Sequence, residues 1–312
     1  MGSFFSALGD IATNTSAYRN AIISAVVLLF AASGELIAEK AGTINISLEG
    51  MMLGGAFSAA IGVHTTHSAW IGLLFAALAG LIVAAIQANM SHRLPADQFV
   101  VGLVLNVLVL GLVGFLTSSI NPKSAVVRRV SVPLASRIPL LGPALFDQPW
   151  VLYLVYPVVP LMWWLIYRTR WGLEVRAIGE DPNASDVSGL HVNKLRRQTI
   201  YLTGVMAGLS GGYFLLARAG KFEDSLIGGR GYIAIAAVIF GGWTLKGTVV
   251  GCVVFGLVGS FVLTIPSLGY KSIDPAFLAM APNVVTVVAM AVFAKRVRQP
   301  SALARPFIRG LR

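Results

Sequence analysis

Residues 30–53 read FAASGELIAEKAGTINISLEGMML: an apolar run meets Glu35, Glu39 and Lys40, crosses a short polar stretch, and restarts after Glu49. Carboxylates between two stretches that both avoid water call for a special reason. The surroundings supply part of it. Of 312 residues, 56% are hydrophobic and 12% charged, against roughly 25% charged in soluble domains. Mean hydropathy is +0.77. So little polar surface cannot cover a water-soluble globule. Apolar runs of about 18 to 22 residues recur along the whole chain, each enough to cross ~30 Å of hydrocarbon. The fold class is therefore all-α, a polytopic helical membrane protein. Recurrence also means that a signal peptide does not explain the runs.

The net charge of +11 does not point to nucleic acid. Six basic residues fall in 168–197 and six in 295–312, so half of the 24 flank apolar runs, as positive-inside topology demands. The single cysteine, Cys252, lies in an apolar run and forms no internal disulfide.

The sequence predicts nine spans, near 20–37, 46–63, 69–89, 97–117, 150–167, 198–216, 230–243, 247–265 and 275–294. Placing 168–197 and 295–312 in the cytoplasm leaves four spans between them, which is self-consistent. Working backwards, the 38–45 turn is cytoplasmic, 118–149 is external and the N-terminus lies outside; the C-terminus is cytoplasmic. Segment 118–149 holds five prolines, which argue against one continuous helix. It carries Lys123, Arg128, Arg129 and Arg137 against one acid, Asp147, so an acidic partner or lipid headgroups face it.

A shift of 178 residues lays GELIAEKAGTINISLEG (34–50) over GYFLLARAGKFEDSLIG (212–228) with six of 17 positions identical, Gly42 on Gly220 and Lys40 opposite Arg218. Five spans separate the copies, so the second is inverted, as in many transporters. The halves are about 20–149 and 198–296, and the whole chain, 1–312, forms one transmembrane domain. This gives the opening stretch a role. Glycines 42 and 50 permit a hinge, Asn45 or Ser47 can cap the next helix, and Glu49 complements its positive end. Residues 38–50 are then a broken-helix entrance to a central pathway; a simply capped loop is the alternative.

Gly204, Gly208 and Gly212, and Gly247 with Gly251, are spaced for close helix approach within one subunit. Within the spans, Asn106 and Asn283 stand out as neutral polar residues able to bond a polar solute or a neighbouring helix. With Asn45 and Glu49 they are the candidate pathway residues. His64 and His67 lack further ligands, so no metal site is expected, and no G-x-x-x-x-G-K-[ST] motif cradles ATP. Neither a cofactor nor a catalytic residue is expected. In the cytoplasmic segment 168–198, Asp181 or Asn183 can start a short helix over 184–188 ending at Gly189, suited to a groove on a soluble partner.

GELIAEKAGTINISLEGMMLGGA, ADQFVVGLVLNVL, RWGLEVRAIGEDPNASDVSGLHV and GGRGYIAIAAVIFGGW, in this order over about 21–296, resemble the permease subunits of ABC importers. The branch is that of ribose and other simple sugars, branched-chain amino acids and nucleosides, and the likeness is strongest to the shorter permease of lipoprotein-dependent nucleoside systems. The resemblance implies a non-enzymatic inner-membrane transport subunit for a nucleoside or simple sugar. It also implies an ABC ATPase subunit, a second homologous permease, an external solute-binding lipoprotein and surrounding membrane lipid as partners, and no nucleic acid. The family's ATPase-docking loop falls on Gly179, Glu180, Pro182, Ala184, Ser185 and Gly189. Arg128, Arg129, Arg137 and Arg218 are expected to meet carboxylates of the binding protein. An ion-coupled secondary transporter, or the same permease role for branched-chain amino acids, is the alternative.

Overall fold

The computed structural model describes residues 14–120, 122, 127–131, 141–267, 280, 281, 284, 285, 287, 288, 291 and 299–308. Its elements are α1 (Thr15–Lys40), α2 (Leu48–Thr66), α3 (Ala69–His92), α4 (Gln98–Ile120), β1 (Arg129–Ser131), α5 (Leu141–Phe146), β2 (Asp147–Pro149), a 3-10 turn (Trp150–Leu154), α6 (Val155–Arg168), α7 (Arg170–Glu180), α8 (Pro182–Val187), α9 (Val192–Phe214) continued by a π turn (Leu215–Ala219), α10 (Arg230–Phe240) and α11 (Leu245–Ser267). Among the described residues five helical stretches are long and apolar enough to span a bilayer: α1, α3, α4, the 3-10 turn with α6, and α9 with its π turn. The last expected span, 275–294, lies mostly outside the described residues.

Hydrophobicity does not sort these helices into an inside and an outside; small residues mark where their backbones meet. The middle is α1 packed on α9, with α11 and α10 also against α1, and α2 and α3 against α9. Small residues let the backbones meet. A methyl group on Gly80 or Gly204 would overlap the other's backbone, and Gly208 meets Ala76 and Gly55 in the same way. Thr203 Oγ1 donates to the Gly34 carbonyl (2.9 Å) and Ser210 Oγ to that of Val27 (2.5 Å), tying α9 to α1. Interhelical bonds and close packing hold helices together where lipid offers no hydrophobic drive. Large apolar side chains fill the core, as Phe30, Leu36, Ile37 and Met51 do, and also cover the outside, among them Leu78 and Ile82 on α3 and Val104, Val107 and Phe115 on α4. An apolar exterior over an apolar core suits an apolar surrounding.

The expected 118–149 excursion contains α5 and a two-stranded antiparallel hairpin pairing Arg129 with Pro149. Its acid, Asp147, is not free to offset the local positive charge for a partner: it pairs with Arg19 of α1 at 2.6 Å.

Candidate functional site

Two elbows frame the site. At the first, α1 runs on to Lys40, so Glu39, expected in the 38–45 turn, joins Glu35 inside the helix, and both are fully buried. Glu35 Oε1 accepts the Asn45 N–H (2.9 Å) and Glu39 Oε2 accepts the Trp243 indole N–H (2.5 Å). Gly42, at φ +84°, reverses the chain, which folds back inside to Leu48. Asn45 is fully buried; it accepts from Ser47 Oγ and donates to Met51 Sδ. Ser47, one of the two expected residues, takes the N-cap position of α2, but its hydroxyl turns to Asn45 instead of bonding the helix. The Gly50 N–H is taken by Asn106 Oδ1 from α4 (2.8 Å), while Asn106 Nδ2 donates to Ile46 O and Tyr232 Oη (2.9 Å each). The amide supplies both donors and an acceptor, so it holds an irregular turn more completely than a hydroxyl.

The second elbow begins where the π turn ends, at Gly220, φ +69°, the position aligned with Gly42. Residues 220–229 return without a helix, and α10 starts at Arg230. With 11 residues it is roughly 16 Å long, half a bilayer, so the expected full span 230–243 is a half-helix. Its first turn leaves orphan N–H groups, and Glu49 satisfies them. Glu49 Oε1 accepts from Gly229 N (2.7 Å) and Oε2 from Gly231 N (2.6 Å). Glu49 stands in the first turn of its own helix, as expected, and its carboxylate also bonds the start of the helix of the other repeat. A carboxylate with an acceptor for each of two N–H groups does this best at the positive end of a helix. A Cβ on Gly231 would crowd the Glu49 backbone, so the approach requires glycine.

The elbows sit at opposite ends of α9. Ala41 accepts from buried Arg196 Nε (3.0 Å) near one end, whereas Val127 N donates to Leu216 O (3.4 Å) near the other. Glu49, Asn106 and Tyr232 meet between them, and Tyr232 is 43% exposed, so this polar spot opens toward the unfilled side of α4. Tyr232 went unnoticed in the sequence, where one tyrosine in an apolar run gives no signal. Asn283 lies outside the described residues.

At the Gly42 end, Asp181 Oδ1 caps α8 through Ala184 N (2.9 Å), as one of the two expected starters, and Gly189 ends it at φ +89°. Pro182 takes the first helical position, Ser185 is buried with its Oγ on Asp181 O, and Gly179 abuts Lys40. Grooves of about 440 and 370 Å³ flank α8, and Glu180 borders both. Val187 is 90% exposed, an apolar side chain in water at the basic end. At the opposite end Arg129 is exposed on β1, Arg128 accepts Trp150 N–H through its carbonyl, and Arg218 is half-buried with Nη1 unpartnered. Arg137 lies outside the described residues. Among the described residues no cluster of metal-ligating side chains occurs.

Known proteins match most of this chain's length. It is 34% identical to the nucleoside ABC transporter permease protein NupC of Lactococcus lactis over 298 residues, 91% of this chain and 93% of that protein. It is 32% identical to the guanosine ABC transporter permease protein NupQ of Bacillus subtilis, covering 93% and 96%. It is 26% identical to the fructose import permease protein FrcC of Rhizobium meliloti, covering 86% and 74%. Residues 17–294 match the family described as branched-chain amino acid transport system / permease component. The short helix α10, the buried polar junction and these matches together make the chain a multi-pass membrane protein of that ABC permease family, a transport subunit of an ATP-driven importer.

Proposed function

We propose that this permease passes a neutral nucleoside, with simple sugars as the next class, along a path walled by Glu49, Asn106 and Tyr232. The arrangement that carries the reading is the double use of Glu49. Half-helix N-termini at mid-membrane attract anions, but here a resident carboxylate already fills that of α10, and Asn106 fills that of α2. What remains for a solute is hydrogen bonding, which suits hydroxyls and base edges more than a phosphate or free carboxylate. The relatives named for nucleosides and guanosine support the same class.

The open side of α4 is closed by a second, homologous permease, and the other exposed apolar faces by lipid. The ATPase is a separate subunit docked on Gly179, Glu180, Pro182, Ala184, Ser185 and Gly189. The solute-binding lipoprotein docks externally near Arg128, Arg129, Arg137 and Arg218. The N-terminus lies outside and the C-terminus in the cytoplasm. Residues 20–149 and 198–296 are the inverted halves, joined by the docking loop 168–197.

Uptake of radiolabelled guanosine into vesicles containing the full complex tests this, with adenosine, ribose, fructose and leucine as competitors. Dependence on ATP and competition by adenosine are expected. Buried Glu35 and Glu39, each with one oxygen lacking a partner, favour the ion-coupled alternative. Uptake that persists without ATP and collapses with the ion gradient would select it; competition by leucine alone would select amino acids.

A further inference from the structure

The segment after the last apolar run is stitched to both the docking loop and the first elbow. Ala302 N donates to Gly179 O (2.9 Å) and Ala304 N to Gly42 O (3.1 Å). Ser301 Oγ donates to Glu180 Oε2 (3.1 Å). From the other side Arg196, fully buried near the start of α9, closes the circuit: Nε donates to Ala41 O and Nη1 to Arg305 O (2.8 Å). Asn193 Nδ2 reaches Phe307 O (3.3 Å). Ala304 adopts φ +61°, a left-handed backbone costly for alanine, so the surrounding contacts must hold it. A Cβ on Gly42 would meet Arg196 and Ala302, so glycine is required by fit as well as by φ.

Three pieces of backbone far apart in sequence therefore share one hydrogen-bonded junction around a single guanidinium, whose rigid fork serves two carbonyls at once. A side chain so deeply buried is retained at a cost that loop decoration does not require. Resting on the reading that the ATPase docks on α7–α8, we propose that residues 299–308 and Arg196 form a strap that makes the docking loop and the 41–47 elbow move as one body. Force from the ATPase then reaches the elbow through the Gly179–Ala302 and Gly42–Ala304 bonds, with Arg196 as the positioning residue. The loop and the elbow also touch directly where Gly179 packs on Lys40 and Ala41, and the strap bonds the two sides of that contact together.

The test uses the reconstituted complex and reads guanosine transported per ATP hydrolysed. Deleting residues 300–312, or changing Arg196→Lys, which keeps the charge but loses the fork, should lower that ratio about tenfold, the scale of a 1–3 kcal/mol coupling between sites, while ATP hydrolysis continues. A merely structural role would lower hydrolysis and transport together and leave the ratio unmoved, which would overturn the proposal. Should either variant fail to accumulate, a cross-link decides. Asn193→Cys and Phe307→Cys, bridged by a short bifunctional maleimide, should keep full uptake, because the strap never releases. Cys252 is fully buried and does not compete for the reagent. Loss of uptake on bridging would mean that the strap must open and would refute it. Loss of ATP dependence in the unmodified complex would instead sink the docking reading beneath it.

Discussion

Glu49 shows how much one side chain settles. Its carboxylate is the cap of a helix 180 residues away, so its removal acts on α10 rather than on α2. Glu49→Gln places an NH2 against one of two backbone N–H groups and leaves that donor unpaired, at a cost of about 1–3 kcal/mol. A clear drop in thermal midpoint and at least tenfold slower uptake should follow, while Glu49→Asp, too short to reach both groups, should behave alike. A thermal shift assay alongside guanosine uptake checks both; unchanged values in Glu49→Gln would mean that the contact is dispensable. The sequence pointed to Glu49 because a carboxylate opening an apolar run needs a partner. It could not name the partner, since Gly229 and Gly231 are two glycines among 33. Glu39 misled more fully: beside Lys40 it reads as part of a turn, and only the packing of Asn45 on Glu35 and of Trp243 on Glu39 explains how both are buried inside α1.

Among the elements, the short helix α8 was legible almost to the residue, because Asp181, Pro182 and Gly189 are local signals of starting and stopping a helix. Asp181→Ala should cost about 1 kcal/mol through the lost cap, visible as a small fall in thermal midpoint with the ATPase still bound. Ser185→Arg, by contrast, forces a long cation into a buried position and should abolish co-purification of the ATPase at an unchanged yield of permease in the membrane. Retained co-purification would remove α8 from the interface. The half-helix α10 was not legible in length. Its apolar residues run on through Trp243, and hydropathy cannot tell a segment that starts at the surface from one that starts at mid-membrane. The missing information is tertiary: residues 220–229 return inward because Glu49 and the α2 turn offer partners to backbone that lipid would leave unsatisfied.

Over the whole molecule, the repeat read from six identities corresponds to two helix–elbow–helix units whose aligned Gly42 and Gly220 both adopt positive φ and stand at opposite ends of α9. Glu49 then joins the units at their centre. Basic residues at the Gly220 end of the molecule set the proposed encounter with an acidic binding protein. Reversing Arg128 and Arg129 to Glu should lower solute-stimulated ATPase activity several-fold at low salt, the defect fading as ionic strength rises toward a Debye length of ~8 Å. A loss independent of salt would contradict that contact. The central claim, mirror-related elbows that open to opposite sides and close on one another at Glu49, is tested most directly by sidedness. Single cysteines at Lys40 and Lys221, one beside each elbow, are treated in intact cells with a membrane-impermeant maleimide. The account predicts that Lys221→Cys is labelled from outside and Lys40→Cys only after permeabilisation. Labelling of both from the same side would contradict it.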